Sequence, residues 1–244
     1  MGWKDLGKSP LLKGGGPAAV AGPALSGVQA ERQLPRRLED VSVSIICPTH
    51  GREERHPALY EAFCRQDHPN KDLWVLDDSN RYSPTLYRLH RRDERVHYQG
   101  VAKRLTIGDK RNQLIAASRG QVIVHFDDDD WYAPDYVTRM LERLIRLDAD
   151  LVTLAVWKER RESDGEEKLY DARQMEQDLW GFGFSYVYRR WVMTQLSFPL
   201  VNSGEDYALV AGMQRCDMKV ASVEDGAAWA VHLIHGGNTS RKAF

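Results

Sequence analysis

Gln121-Val122-Ile123-Val124-His125-Phe126-Asp127-Asp128-Asp129-Asp130-Trp131 is the stretch on which the fold turns. An apolar, β-branched run of strand length passes directly into four carboxylates. Val122 to Phe126 read as a strand, and the aspartates stand where it ends. Two unit charges about 4 Å apart at an effective dielectric of about 20 repel by roughly 4 kcal/mol. The side chains either splay into water as a solvated acidic turn or are collected by a cation, and a rigid strand behind them favours the cation. All-oxygen ligands select Mg²⁺ or Mn²⁺ over softer metals. An EF-hand is excluded: counted from Asp127, the sixth residue is not glycine and the twelfth is Thr138. Magnesium-type sites combine one or two carboxylates with substrate phosphates, so the implied ligand is a diphosphate.

Upstream, Val41-Ser42-Val43-Ser44-Ile45-Ile46-Cys47, ended by Pro48, reads as a first strand. A helix over Pro57 to Gln66 and a strand Leu73-Trp74-Val75-Leu76, stopped by Asp77-Asp78-Ser79-Asn80, come next. A short helix near Pro84 to Arg91, a strand over Arg95 to Gln99 and a helix over Thr106 to Ser118, ended by Gly120, lead into the acidic stretch. Downstream, the pairs Tyr136/Val137, Met140/Leu141 and Leu144/Ile145 recur every four residues and mark one apolar helix face. Leu151 to Trp157 reads as a strand, and the charged run Lys158 to Lys168 around Asp164-Gly165 as a solvated hairpin tip. Strands alternating with helices imply an α/β domain whose largely parallel sheet is covered on both sides.

The composition sets the outer limits. Among 244 residues, 34 Lys+Arg face 35 Asp+Glu, so the basic excess of a general nucleic-acid or anionic-membrane binder is missing. Cys47, Cys64 and Cys216 are too few and too scattered for a disulfide scaffold, and no CxxC pair suggests zinc. Eighteen consecutive apolar residues occur nowhere, so no transmembrane segment is expected, and the chain reads as soluble and cytoplasmic. Residues 1–38 carry Gly14-Gly15-Gly16, Pro17, Pro23 and no aromatic after Trp3, and read as a flexible tail before a domain over 39–244. They fit neither a signal peptide nor, with Leu6 where Ser or Thr is needed, a myristoylation signal.

Taken in order, Val43 to Thr49, Val75-Leu76-Asp77-Asp78-Ser79, Lys110-Arg111-Asn112, Phe126 to Trp131, Gly204-Glu205-Asp206 and His235-Gly236-Gly237-Asn238-Thr239-Ser240 resemble the inverting family 2 glycosyltransferases of the GT-A fold. The resemblance covers about residues 41–240. His50, where the pattern commonly has an aromatic, and the fourth aspartate depart from it. It implies a nucleotide-binding half over 39–130, an acceptor-binding half over 131–244, a nucleotide-diphosphate sugar as donor (foremost a UDP-sugar), and Mn²⁺ or Mg²⁺.

Residue by residue, the resemblance implies that Thr49 and Asp78 touch the nucleotide base, while Asp77 reads as a turn cap. Arg111, with Lys110 beside it, faces the diphosphate; its alternative is a solvated helix charge paired with Asp109. Asp127 or Asp128 binds the ribose, Asp129 and His235 hold the metal, and Asp130 caps the turn or the next helix. Asp206 takes the acceptor proton, whereas Glu205 complements the dipole of the helix that begins there. Arg52, just past the first strand, could reach a phosphate or be an exposed surface arginine. Trp180-Gly181-Phe182-Gly183-Phe184-Ser185 could offer flat faces and close backbone approach to a sugar, or core aromatics. Two other functions share these features in part. A sugar nucleotidyltransferase would want a Gly-rich basic loop after the first strand, which Pro48-Thr49-His50-Gly51-Arg52 matches poorly. A non-catalytic nucleotide-sugar or carbohydrate-binding module would need no Asp206.

Overall fold

A computed structural model describes residues 32–174, 180, 182–224 and 228–236. Most of the tail read from the sequence, and Gly237 to Ser240, lie outside them.

The β-branched runs become strands and the four-residue periodicities become helices. The order is β1 (Val43–Thr49), α1 (His56–Arg65), β2 (Lys71–Asp77), α2 (Pro84–Arg92), β3 (Val96–Gly100), α3 (Ile107–Ala117) and β4 (Val122–His125). After the aspartates come β5 (Trp131–Tyr132), α4 (Tyr136–Arg146), β6 (Leu151–Arg161), β7 (Glu167–Asp171) and β8 (Val187–Arg189). The short α5 (Val192–Gln195), then α6 (Glu205–Arg215), β9 (Val220–Glu224) and β10 (Ala230–Ile234) follow.

Among the described residues one sheet runs β3-β2-β1-β4-β8-β6-β10-β5, with β7 and β9 also on β6. Its first half is parallel: β1 pairs with β2 and β4, and β2 with β3. The second half is mixed, since β8 runs antiparallel to both β4 and β6. The loops after β1, β2 and β4 therefore open on one edge, where ligands of such sheets gather. The eleven residues of β6 extend past the strand read over Leu151 to Trp157: its first part pairs with β8 and β9, its second with β7 and β10. The hairpin around Asp164-Gly165 is the β6–β7 turn, with Arg160 opposite Glu167.

Two local expectations need correction. α3 stops at Ala117, and Gly120 does not cap it. A Cβ on Gly120 would lie 2.3 Å from the Ser44 nitrogen, so glycine there lets the chain touch β1 as it enters β4. On α4, Tyr136, Val137, Met140, Leu141 and Leu144 are buried, whereas Ile145 is 38% exposed; the apolar stripe is one residue narrower than the sequence suggests.

Candidate active site

The chain leaves β4 at Phe126 and folds back immediately. Phe126 and Tyr132 stack with ring centroids 3.9 Å apart. The Tyr132 hydroxyl accepts from the Asp127 amide at 3.0 Å and donates to the Phe184 carbonyl at 3.1 Å. Tyr132 is fully buried, so this peg fixes the intervening acidic turn against the core. The turn breaks the two-residue alternation of a strand. Asp127, Asp129 and Asp130 each bring an oxygen within 4.8 Å of the others, while Asp128 points to β1.

Each aspartate has its own partners. Asp128 accepts from the Thr49 hydroxyl and from Arg52 Nη1. Asp129 Oδ2 meets His235 Nε2 at 2.8 Å and Arg52 Nη1 at 2.5 Å. The Asp130 side chain is fully buried and accepts from His232 Nδ1 at 2.9 Å and the Leu233 amide at 2.9 Å. It anchors β10, which corrects its reading as a cap of the turn or helix. Burial works against a charged His232 ring, but the Asp130 charge and hydrogen bond outweigh it and push that group up to about 9. Burial raises Asp127 to about 6, with Arg111 opposing and Asp129 adding to the rise. Burial and neighbouring carboxylates also raise Asp129 and Asp130. Negative charge is thus held here beyond what the local cations compensate, and the donors are all hard oxygens except for His235. That set fits Mn²⁺ or Mg²⁺, with Asp127 and Asp129 the candidate ligands, because both Asp130 oxygens are already engaged.

At the ends of β1 and β2, Thr49 is buried; its hydroxyl accepts from His56 Nε2 at 3.2 Å and donates to Asp128. Asp77 behaves as the turn cap expected, with Oδ1 accepting from the Ser79 amide at 2.9 Å. The Asp78 carboxylate is fully buried, accepting from the Leu105 amide at 2.8 Å and from Lys110 Nζ at 3.0 Å, with His50 Nδ1 also 3.0 Å away. Burial pushes Asp78 up, but the Leu105 and Lys110 bonds outweigh it and hold it below the usual carboxylate value. A cleft of about 280 Å³ opens beside this end, lined by His50, His56, Asp77, Asn80 and Ser83 among others.

Arg111 is neither solvated nor paired with Asp109. It is 4% exposed, its Nη1 donates to Glu205 Oε1 at 2.5 Å, and its guanidinium lies 5.5 Å from the Phe198 ring centre. Burial works against its charge, but Glu205, Asp127 and Asp206 hold it protonated. Glu205 is therefore the buried partner of Arg111 rather than only a helix-dipole residue. Asp206, the next residue of α6, is half-buried: Oδ2 accepts from the Gly183 amide at 2.8 Å and Oδ1 from the Tyr207 amide at 2.8 Å.

Gly183 itself is wedged between the two groups. A Cβ there would sit 2.9 Å from Arg111 Nη2 and 3.1 Å from the Asp206 Cβ. Its carbonyl accepts from His125 Nδ1 at 2.7 Å, which ties the segment to β4. The aromatics around it follow the core reading: Phe182 and Phe184 pack on Trp157 at 4.6 and 5.4 Å, and Phe184 stacks on His232. Gly181 lies outside the described residues. Three features escaped the sequence reading, namely the His232–Asp130 pair, the Arg111–Glu205 pair and the role of Gly183. Their partners lie 102, 94 and 23 residues away, and no local spacing marks them.

This geometry follows the order of motifs read in the sequence, and the family model described as "Glycosyl transferase family 2" matches residues 44–199. This chain belongs to glycosyl transferase family 2. EpsH of Bacillus subtilis (strain 168), named as a glycosyltransferase, is 27% identical over 184 residues, which are 67% of this chain and 52% of EpsH. S. aureus TarS 1–349, solved in complex with UDP-GlcNAc, superposes with a TM-score of 0.65 at 16% identity, over 83% of this chain and 61% of TarS. The mannosyltransferase PcManGT from Pyrobaculum calidifontis, solved with GDP-Man and Mn²⁺, gives 0.61 at 16% identity, over 86% of this chain and 62% of PcManGT. This family 2 chain spans about half of EpsH and three fifths of the two solved proteins. At that identity the structural likeness establishes the GT-A fold. Among the described residues, no helix is long and apolar enough to cross a membrane.

Proposed function

We propose that this family 2 chain transfers a glycosyl group, with inversion, from a nucleotide-diphosphate sugar to an acceptor nucleophile, and that a divalent ion at Asp127 and Asp129 assists. The observation that carries the reading is the convergence of three aspartates just beyond β4, beside a buried arginine and the half-buried carboxylate of Asp206. TarS with UDP-GlcNAc and PcManGT with GDP-Man and Mn²⁺ support the donor class and the ion by likeness of fold.

In this reading the acceptor hydroxyl attacks the anomeric carbon as the bond to the diphosphate oxygen breaks. The diphosphate leaves with the bonding electrons and the hydroxyl proton passes to Asp206. The Gly183 and Tyr207 amides hold the Asp206 carboxylate in one orientation, leaving each oxygen a lone pair for the incoming proton. Arg111, kept charged by its acidic neighbours, turns positive potential toward the diphosphate. A bound divalent ion would neutralise charge developing on that leaving group. His235 would assist at Asp129. Asp128, steadied by Thr49, serves the ribose, which leaves Asp127 to the ion. Thr49 and Asp78 serve the base, Asp78 by fixing Lys110 and the Leu105 backbone around it. The nucleotide half is 39–130 and the acceptor half 131–244; UDP is the first nucleotide to test.

The test is Asp206→Asn, assayed for release of free nucleoside diphosphate from a panel of UDP- and GDP-sugars with Mn²⁺. Transfer is expected to fall by at least a thousandfold with donor affinity within about threefold of wild type. Turnover comparable with wild type would remove Asp206 from the base role. Release of pyrophosphate when the wild type is instead given a nucleoside triphosphate and a sugar 1-phosphate would point to nucleotidyl transfer.

A further inference from the structure

Arg52 occupies an unusual position. Its Nη1 donates to Asp128 Oδ1 at 2.8 Å and to Asp129 Oδ2 at 2.5 Å, so one nitrogen bridges two adjacent carboxylates. The Arg52 side chain is 23% exposed and those carboxylates are 2% and 4% exposed, so the guanidinium enters the acidic turn from its open side. Asp129 Oδ2 also meets His235 Nε2 at 2.8 Å. That oxygen thus serves two partners, as many as its lone pairs allow, yet Asp129 is also one of the three aspartates whose oxygens converge. A divalent ion drawn to Asp129 would meet a guanidinium already seated on it. Two cations that close repel strongly where water is largely excluded.

The chain on either side of Arg52 lies at the surface. Gly51, just before it, has φ +65° and no atom within 4 Å of where a Cβ would stand. Arg52 itself precedes a single helical turn, Glu53–Arg55, in which no residue is buried. A guanidinium released from the aspartates is a planar fork suited to phosphate oxygens.

We propose that Arg52 is the resident countercation of the acidic turn, that an incoming divalent ion displaces it, and that the displaced guanidinium then grips the donor diphosphate. The proposal rests on the divalent-ion reading above. It makes the ion and the nucleotide mutually dependent, because the diphosphate supplies both the ion and the displaced Arg52 with new partners. Such coupling is reciprocal by thermodynamic necessity.

The experiment is calorimetry on the full chain, titrating Mn²⁺ alone, then UDP and GDP separately at saturating Mn²⁺, for wild type, Arg52→Met and Arg52→Gln. Both variants remove the charge, and Gln keeps donors for the aspartates, so a folding defect in the Met variant does not decide the matter. The expected result is that neutralising Arg52 tightens Mn²⁺ binding at least tenfold and weakens nucleotide binding in Mn²⁺ at least tenfold. The enhancement of Mn²⁺ affinity by nucleotide should largely vanish. If a folded Arg52 variant binds Mn²⁺ no more tightly than wild type, while Asp129→Asn abolishes Mn²⁺ binding, displacement is refuted and the ion site stands. If wild type takes up no Mn²⁺ even with UDP or GDP present, the ion reading fails and takes this proposal with it.

Discussion

Glu205→Gln tests how the donor end of the site is held together, because it removes a charge while keeping shape and a hydrogen-bond acceptor. Arg111 and Glu205 are 4% and 5% exposed, and Nη1 to Oε1 is 2.5 Å. With charge centres about 4 Å apart and an effective dielectric of about 20, their attraction is roughly 4 kcal/mol. Arg111 cannot shed its proton, but it keeps the fields of Asp127 and Asp206 after the change. The Gln oxygen can still accept from Nη1. A net loss of about 2–3 kcal/mol is therefore expected, below the roughly 3–5 kcal/mol typical of leaving a buried charge alone.

For a domain of this size that corresponds to a melting temperature lower by about 4–12 °C, read by scanning calorimetry or circular dichroism at pH 7. The reverse change, Arg111→Met, leaves a carboxyl that burial already raises above its ordinary value and that can neutralise itself by taking a proton. Its raised folded value means that stability is recovered as pH falls from 7 to 5, which Glu205→Gln should not show. A Glu205→Gln protein melting within about 1 °C of wild type, or the same pH response in both variants, would refute the buried-pair account.

Gly183→Ala should lower transfer at least tenfold at a stability cost of about 1–3 kcal/mol, because the new methyl meets Arg111 and Asp206 at 2.9–3.1 Å; steady-state rates beside melting curves check this, and unchanged rates would count against the wedge. Asp129→Ala should weaken Mn²⁺-dependent donor binding, and calorimetry giving unchanged affinity would move the ligand elsewhere among the four aspartates. Acidification should draw stability from the fold through its buried neutral histidines, against the raised carboxyls of the acidic turn. Buried His68, whose Nε2–H donates to the Val41 carbonyl at 2.8 Å, is held below its ordinary 6.5 by burial, as is His125. The unfolded chain therefore takes up protons first, and stability present above about pH 6.5 is lost as pH falls toward the folded values. His68→Gln should flatten the fall in melting temperature between pH 7 and 5, and an unaltered slope would exclude His68 as a contributor.

The parallel half of the sheet was legible in the sequence because β1, β2 and β4 each carry an apolar run punctuated by polar turns, with β3 the polar edge strand beside them. The second half was less so. β10 has three buried and two half-buried residues, β9 alternates weakly, and both owe their pairing to β6, far away in sequence. The acidic stretch announced a site, but four identical side chains in a row carry no phase. The back-folding imposed by Tyr132 groups Asp127, Asp129 and Asp130 and turns Asp128 toward β1. Arg111 and Asp206 stood out as motifs, while the distant contacts that bury one and orient the other are tertiary.

β10 lies on β6 with Val231 opposite Lys158, and on its other side pairs with Trp131 and Tyr132 directly after the aspartates. The histidines facing Asp129 and Asp130 are thus indexed to the acidic turn through a single ladder. A slip of one residue in that ladder would turn His232 to the opposite face of the sheet and part it from Asp130. Insertions should accordingly be absorbed without harm in the Glu162–Glu166 bend, while one extra residue between Ala230 and His235 would dismantle the histidine side of the cluster and leave the rest of the sheet standing.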